Sequence, residues 1–325
     1  FTNGFLADHA NIKKFFAAGV FLSALVNILM GRTEILWIWV VLWGLNGWFQ
    51  GYGAPTGAVA LSQWFSNKER GRFYGIWSTG HAIGEGLTFI GSGTLVSFFG
   101  WQAGFWGPGV LCVFLAMGIY LLIQDRPPTL GLPKIADWKN DHGEEKKEQK
   151  TWQAQLSILK RPTIWILGLS SATMYVTRYA INSWGILYLQ EAKGYTLIEA
   201  GGILGLNTFA GLIGCVAYGY ISDKLFRAKR PPVTLIFAAP GQPVILTSAF
   251  FVYGFTLSGL LAALGGLFAI DISPKNAAGA AMGFIGVFSY MAAGIQDQIS
   301  GFLIEHSTKM IDGVRQYDFS NEILF

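Results

Sequence analysis

Gly219-Tyr220-Ile221-Ser222-Asp223-Lys224, followed by Arg227, Lys229 and Arg230, repeats a pattern laid down near the start of the chain by Gly4-Phe5-Leu6-Ala7-Asp8, followed by Lys13 and Lys14. Each is a small residue, an acid four positions on, then a basic cluster wedged between long apolar runs. A second pair recurs at a similar spacing, Ser66-Asn67-Lys68-Glu69-Arg70-Gly71 and Ser273-Pro274-Lys275-Asn276-Ala277. An internal repeat of about two hundred residues in so apolar a chain predicts two bundles of membrane helices facing each other.

Composition fixes the solvent. Hydrophobic residues make up 52% of the chain and charged ones 13%, whereas a water-soluble domain carries roughly 25% charge. Such a chain cannot cover a soluble surface, so its partner is the lipid bilayer. The 42 glycines suit close helix packing and the 12 tryptophans suit interfacial belts and a binding cavity. The net charge of +4 sits in loops and reads as topology, not nucleic-acid binding. Cys112 and Cys215 fall inside apolar runs and read as reduced packing residues. There is no phosphate-binding glycine loop, no metal-spaced His/Cys cluster and no nucleophile motif, so the chain reads as neither an enzyme nor a holder of cofactor or metal.

A membrane-crossing helix needs about 20 apolar residues. The runs predict helices over Phe15–Met30, Ile35–Trp64 (bent by Pro55 and glycines), Phe73–Phe99, Ala103–Ile123, Pro162–Leu189, Leu197–Tyr220, Val233 onward and Ala277–Ile304. If these alternate, Lys13/Lys14, Lys68/Arg70/Arg72, Lys134–Arg161, Lys224–Arg230 and Lys275 share one side, which is then cytoplasmic. The expected organisation is an N-terminal bundle over residues 1–123, a cytoplasmic linker over 124–161 with the charge run Glu144–Lys150, and a C-terminal bundle over 162–325. The interval Gly219–Ser273 is shorter than its counterpart Gly4–Ser66 and is cut by Pro240-Gly241-Gln242-Pro243, which points to residues missing between Val233 and Ile270.

A charge in lipid costs at least about 2.5 kcal/mol and marks function by default. Arg178 lies about 16 residues into its helix, roughly 24 Å deep at the helical rise. Its planar fork suits phosphate or carboxylate. The plainer reading is an interhelical salt bridge to Glu85 or Asp297. His81 stands near mid-membrane, where it can donate to phosphate and titrate near neutrality; the plainer reading is a neutral histidine bonded within the bundle. Glu85, one turn on, either pairs with His81 or carries a proton. Trp77 and Tyr175, a turn before His81 and Arg178, face the same cavity or simply pack the core. Asn46, Gln50, Asn182 and Asn207 line the cavity or join helices, and Asp297 reads as a gate or interface residue.

At these residues the chain resembles the major facilitator superfamily, and within it the organophosphate:phosphate antiporters, a family of glycerol-3-phosphate and hexose-6-phosphate transporters and a hexose-phosphate sensor. The resemblance runs over nearly the whole chain. It rests on Trp48-Phe49-Gln50-Gly51, Lys68-Glu69-Arg70-Gly71, Trp77 with His81, Asp125-Arg126-Pro127-Pro128 with Gly131-Leu132-Pro133, Tyr175 with Arg178-Tyr179, Ser222-Asp223-Lys224-Leu225-Phe226, and Lys275 with Ala277-Ala278-Gly279. It implies an all-α fold of two pseudo-symmetric six-helix bundles, here lacking the first helix, most of the second and the last. Arg178 matches the second of two cavity arginines. His81, Trp77, Tyr175 and Tyr290 match cavity positions, and Tyr253 resembles another. Glu85 departs from the family pattern. The implied protein is a multi-pass inner-membrane exchanger, monomeric, that swaps a phosphorylated metabolite for inorganic phosphate by alternating access. Asp8, Asp223, Lys224 and Arg227 are its expected gating residues. A membrane sensor of sugar phosphate with the same fold, or a proton-coupled organic anion symporter using His81 and Glu85, are the alternatives.

Overall fold

In lipid every backbone N–H and C=O must be bonded internally, so long apolar runs between short polar turns can only be helices. The computed structural model describes residues 2–140, 151–227, 230–238, 246–307, 309–311 and 314–316. Helix α1 (Thr2–His9) turns into α2 (Ile12–Met30) at Asn11, whose side chain accepts the N–H of Lys14 at 3.0 Å as an N-cap. The long run Ile35–Trp64 is bent as its glycines predict. It divides into α3 (Leu36–Gln50) and α4 (Gly53–Trp64), with the break at Gly51–Tyr52. Pro55 lies in the first turn of α4, where its missing N–H removes no helical bond. Helices α5 (Arg70–Phe99) and α6 (Ala103–Leu122) follow, then α7 (Ile135–Lys139) and α8 (Thr151–Leu159) in the hydrophilic stretch. The charge run Glu144–Lys150 lies outside the described residues.

Helix α9 (Pro162–Glu191) starts on a proline, and α10 (Leu197–Lys224) starts on a capping box in which Thr196 and Glu199 satisfy each other's N–H groups. After α11 (Arg230–Ala238), the run ending at Ile270 forms α12 (Leu246–Ala262), one π turn (Ala263–Leu267) and α13 (Phe268–Ile272). Pro240 and Pro243, where the sequence suggests lost residues, lie outside the described residues. Helix α14 (Ala278–Ser307) is followed by β1 (Lys309–Ile311) paired antiparallel with β2 (Val314–Gln316), a small ribbon that apolar periodicity does not anticipate. Among the described residues, five helices are long and apolar enough to cross a membrane. Trp37 and Phe98, 76% and 78% exposed, face where lipid belongs.

Helix α2 packs on α3 and α6, α10 on α12, and α9 on α14. Two further pairs, α5 with α10 and α1 with α14, join the early helices to the late ones. Glycine makes these crossings possible: a Cβ on Gly4 would collide with the Gly279 carbonyl, one on Gly219 with that of Gly71, and one on Gly75 with that of Cys215. All three approaches lie at the ends carrying the basic loops. Farther along α5, a Cβ on Gly80, Gly84 or Gly91 would meet nothing. The helices are therefore shut at the end carrying the basic loops and part toward the other, and a core around Tyr74, Tyr218, Leu267 and Ile270 fills the shut end.

Candidate functional site

Where α5 and α9 part, they enclose a cavity of about 400 Å³ lined by Gly80, His81, Gly84, Arg178, Tyr179, Asn182 and Ser183. Helix α5 presents His81 from one side and α9 presents Arg178 from the other. A cation with a planar donor fork and a second ring donor thus meet across a space open to an anion. Tyr175 stacks on Tyr179 at 6.0 Å between ring centres and meets Tyr290 of α14 edge-on at 5.4 Å. Tyr179 lines the cavity next to Arg178, whereas Tyr175, three residues earlier toward the shut end, and Tyr290 are not among the lining residues. The hydroxyl of Tyr253 donates to the Thr177 carbonyl at 2.9 Å, bracing the α9 turn that carries Arg178.

Trp77 is placed differently from the expectation. Its ring sits edge-on to Tyr74 and covers Gly57 of α4, where a Cβ would strike the indole; it is not among the cavity-lining residues. Spacing puts Trp77 and His81 on one stripe of α5, but that stripe passes from the packed end into the cavity within a single turn. Asn46 accepts hydrogen bonds from Ser23 at 2.6 Å and Asn27 at 3.1 Å, so it joins α2 to α3. The side chain of Glu85 lies outside those described. One carboxylate oxygen of Asp297 is buried without a hydrogen-bond partner.

The shut end is built from two acid clamps at equivalent places in the repeat. Asp8 accepts the N–H groups of Gly279 at 2.8 Å and Ala280 at 2.9 Å, the first turn of α14. Backbone N–H groups at a helix start favour a carboxylate. Gln155 of α8 donates to Asp8 at 2.9 Å, and Arg126 donates to the carbonyls of Asp8 and Ala10 at 2.9 Å. Burial pushes the Asp8 carboxyl up to about 6, against the downward pull of Gln155, Ala280 and Gly279. Asp223 accepts the N–H of Arg72 at 2.5 Å, in the first turn of α5, and pairs with Arg230 at 2.5 Å.

Here the basic partner differs from the one expected. Lys224 and Arg227 are exposed. Arg230 is 3% exposed and bridges Asp223 to Asp271 at 2.9 Å, and Asp271 in turn binds Arg70 at 3.0 Å. Arg230 starts α11, which turns its side chain back toward α10, whereas Lys224 and Arg227 are nearer in sequence only. Arg70, Arg230, Asp271 and Gln155 are the residues that sequence reasoning missed. Arg70 and Arg230 stood in the basic clusters, but nothing local marks which member of a cluster is buried.

Helices closed at one end over a cavity lined by Arg178 and His81 have the architecture of a secondary transporter. The Major Facilitator Superfamily model matches residues 1–296. Membrane sensor protein UhpC of Salmonella typhimurium is 35% identical over 316 residues, covering 91% of this chain and 71% of that protein. The glycerol-3-phosphate transporter of Bacillus subtilis is 32% identical, covering 94% of this chain and 74% of that protein. Among solved structures, the Escherichia coli fucose:proton symporter FucP superposes with a TM-score of 0.67 at 15% identity over 94% of this chain and 80% of that one; that likeness speaks for the fold alone. The chain belongs to the major facilitator superfamily and, within it, to the organophosphate:phosphate antiporter family. It is an integral inner-membrane protein of a transport family, not an enzyme.

Proposed function

We propose that this protein exchanges a sugar phosphate or glycerol phosphate for inorganic phosphate, working as a single copy. The observation that carries the reading is Arg178 and His81 facing each other across one cavity from helices on either side of the repeat. Relatives whose names are hexose phosphate transport protein, glycerol-3-phosphate transporter and phosphoglycerate transporter protein support the phosphorylated substrate. Residues 1–123 and 162–325 act as two bodies joined by the 124–161 linker. An anion held by both draws them together over the cavity, which lowers the barrier to switching. Tyr175, with Tyr290 packed on it, backs the cavity wall at Arg178, while Asp8 and Asp223 hold the cytoplasmic end shut until the bodies rock. The test is uptake of labelled phosphate into liposomes loaded with phosphate or with a sugar phosphate. Uptake that needs an internal phosphorylated partner supports exchange; uptake driven by a pH gradient alone replaces it with symport.

The 35% identity to a protein named as a membrane sensor supports a second reading, in which the same cavity binds sugar phosphate and reports it to a partner. Binding without exchange in the same liposomes selects it.

His81→Gln is expected to lower exchange several-fold, because the imidazole that lines the cavity opposite Arg178 is replaced by an amide of different shape and reach. Initial rates of phosphate exchange at matched protein amounts check this, and a rate unchanged by the substitution assigns His81 to packing.

A further inference from the structure

Arg178 and His81 account for only one end of the cavity. Asn182 and Ser183 lie one turn beyond Arg178 on α9, on the side away from the shut end, and both are exposed on the cavity wall. The facing wall is the backbone of α5 at Gly84, one turn beyond His81, with Gly80 lying beside His81 itself. A Cβ at either glycine would meet nothing within 4 Å, whereas on the same helix Gly71 and Gly75 are required by close contacts with α10 and its neighbours. Helix packing therefore does not explain Gly80 and Gly84. What they do is leave the wall bare and the cavity wide. Its volume of about 400 Å³ falls in the range of small-molecule pockets, roughly 300–1,000 Å³.

We propose that this outer part of the cavity is the pocket that selects the organic group, that it takes an uncharged, hydroxylated group such as a sugar or polyol, and that Asn182 and Ser183 read its hydroxyls while Gly84 makes room for it. The proposal rests on the reading that Arg178 and His81 hold the phosphate. An amide and a hydroxyl offer donors and acceptors in the mixture that a sugar hydroxyl both gives and takes. They offer no positive charge. A carboxylate on the substrate, in addition to its phosphate, would lose its water there without gaining a cation, which disfavours it. Inorganic phosphate is too short to reach beyond the first turn, so the pocket acts on the organic partner of the exchange and barely on phosphate.

The experiment is competition for labelled phosphate uptake in phosphate-loaded liposomes, with unlabelled phosphate, glucose 6-phosphate, glycerol 3-phosphate and 3-phosphoglycerate as competitors. The native protein, Gly84→Leu and Asn182→Ala are compared. In the native protein, 3-phosphoglycerate is expected to be the weakest of the organic competitors. In each variant the inhibition constant for the best organic competitor is expected to rise at least tenfold relative to that for phosphate. Constants that move in parallel, or that do not move, overturn the pocket while leaving the exchanger intact. Strongest competition by 3-phosphoglycerate overturns the uncharged character of the pocket. No phosphate uptake by the native protein overturns the exchanger reading and this inference with it. The two variants sit on different helices, so a folding failure in one leaves the other as the test.

Discussion

Arg178→Lys is expected to reduce phosphate exchange at least tenfold while the protein still inserts and accumulates. The charge survives this change, so a purely electrostatic role would be nearly unaffected. What is lost is the planar fork, which offers two parallel donors to one phosphate, against a point charge on a flexible stem. Removing one hydrogen bond to a charged group costs about 1.5–3 kcal/mol, and about 1.4 kcal/mol is a factor of ten in affinity, so the expected loss is about ten- to a hundredfold. Its neighbours make the geometry exacting: Tyr253 braces the Thr177 carbonyl, and Tyr175 and Tyr179 stack on the same helix face. A lysine placed in that frame cannot reproduce both donor positions. Exchange rate and phosphate affinity, measured at matched protein amounts, give the result. Near-native exchange by the lysine variant would remove Arg178 from the anion site.

Arg178 stands out in the sequence because it is a charge deep in an apolar run, with no acid within a helical turn of it along the chain, and the structure puts it on the cavity wall. The helices were legible for the same reason: lipid allows few alternatives, and the runs mark their own ends to within a few residues. The acids Asp8 and Asp223 were legible through the repeat, which put each at the end of a helix beside a basic loop. Their partners were not. Asp271 lies 41 residues from Arg230 and 201 from Arg70, and no local pattern relates positions that far apart. Gln155 belongs to the linker, whose composition reads as solvated, yet Ala154 and Ile158 on the same short helix are buried among α9, α13 and α14. For Trp77 the structure shows the packing alternative and not the cavity position that the resemblance implies, because spacing assigns a face to a residue but not the depth at which that face stops being cavity and becomes contact. The bend near Pro55 was right in kind and displaced in position, since a proline in a first turn breaks nothing and the chain gave way at Gly51–Tyr52 instead.

Arg230→Ala is expected to open the cytoplasmic end. The side chains of Arg230 and Asp223 are 3% and 6% exposed, and Arg230 also holds Asp271. Deleting it leaves the Asp223 carboxylate without its cation in a packed interface, with Asp271 held by Arg70 alone. Breaking a buried pair by removing one partner costs about 3–5 kcal/mol. That penalty falls mainly on the shut arrangement, because once the ends separate both acids reach water. A shift of this size changes a two-state ratio by about a hundred- to several-thousandfold, enough to invert the preferred orientation. Asp223→Asn is expected to act in the same direction with a smaller effect, since an amide oxygen still accepts the Arg72 N–H and Arg230 keeps Asp271. Both should slow exchange more than they weaken phosphate binding, as neither residue lines the cavity. Cys215 supplies the measurement. It is buried at the shut interface, where its carbonyl lies against Gly75, and in a Cys112→Ser background it is the chain's one thiol. Its labelling by a water-soluble maleimide from the cytoplasmic side should accelerate at least tenfold in Arg230→Ala, less in Asp223→Asn, and return toward the native rate in Arg230→Lys, which keeps a cation between the acids. Labelling that stays at the native rate while exchange falls in step with phosphate affinity would show that these residues serve folding or binding and do not hold the gate.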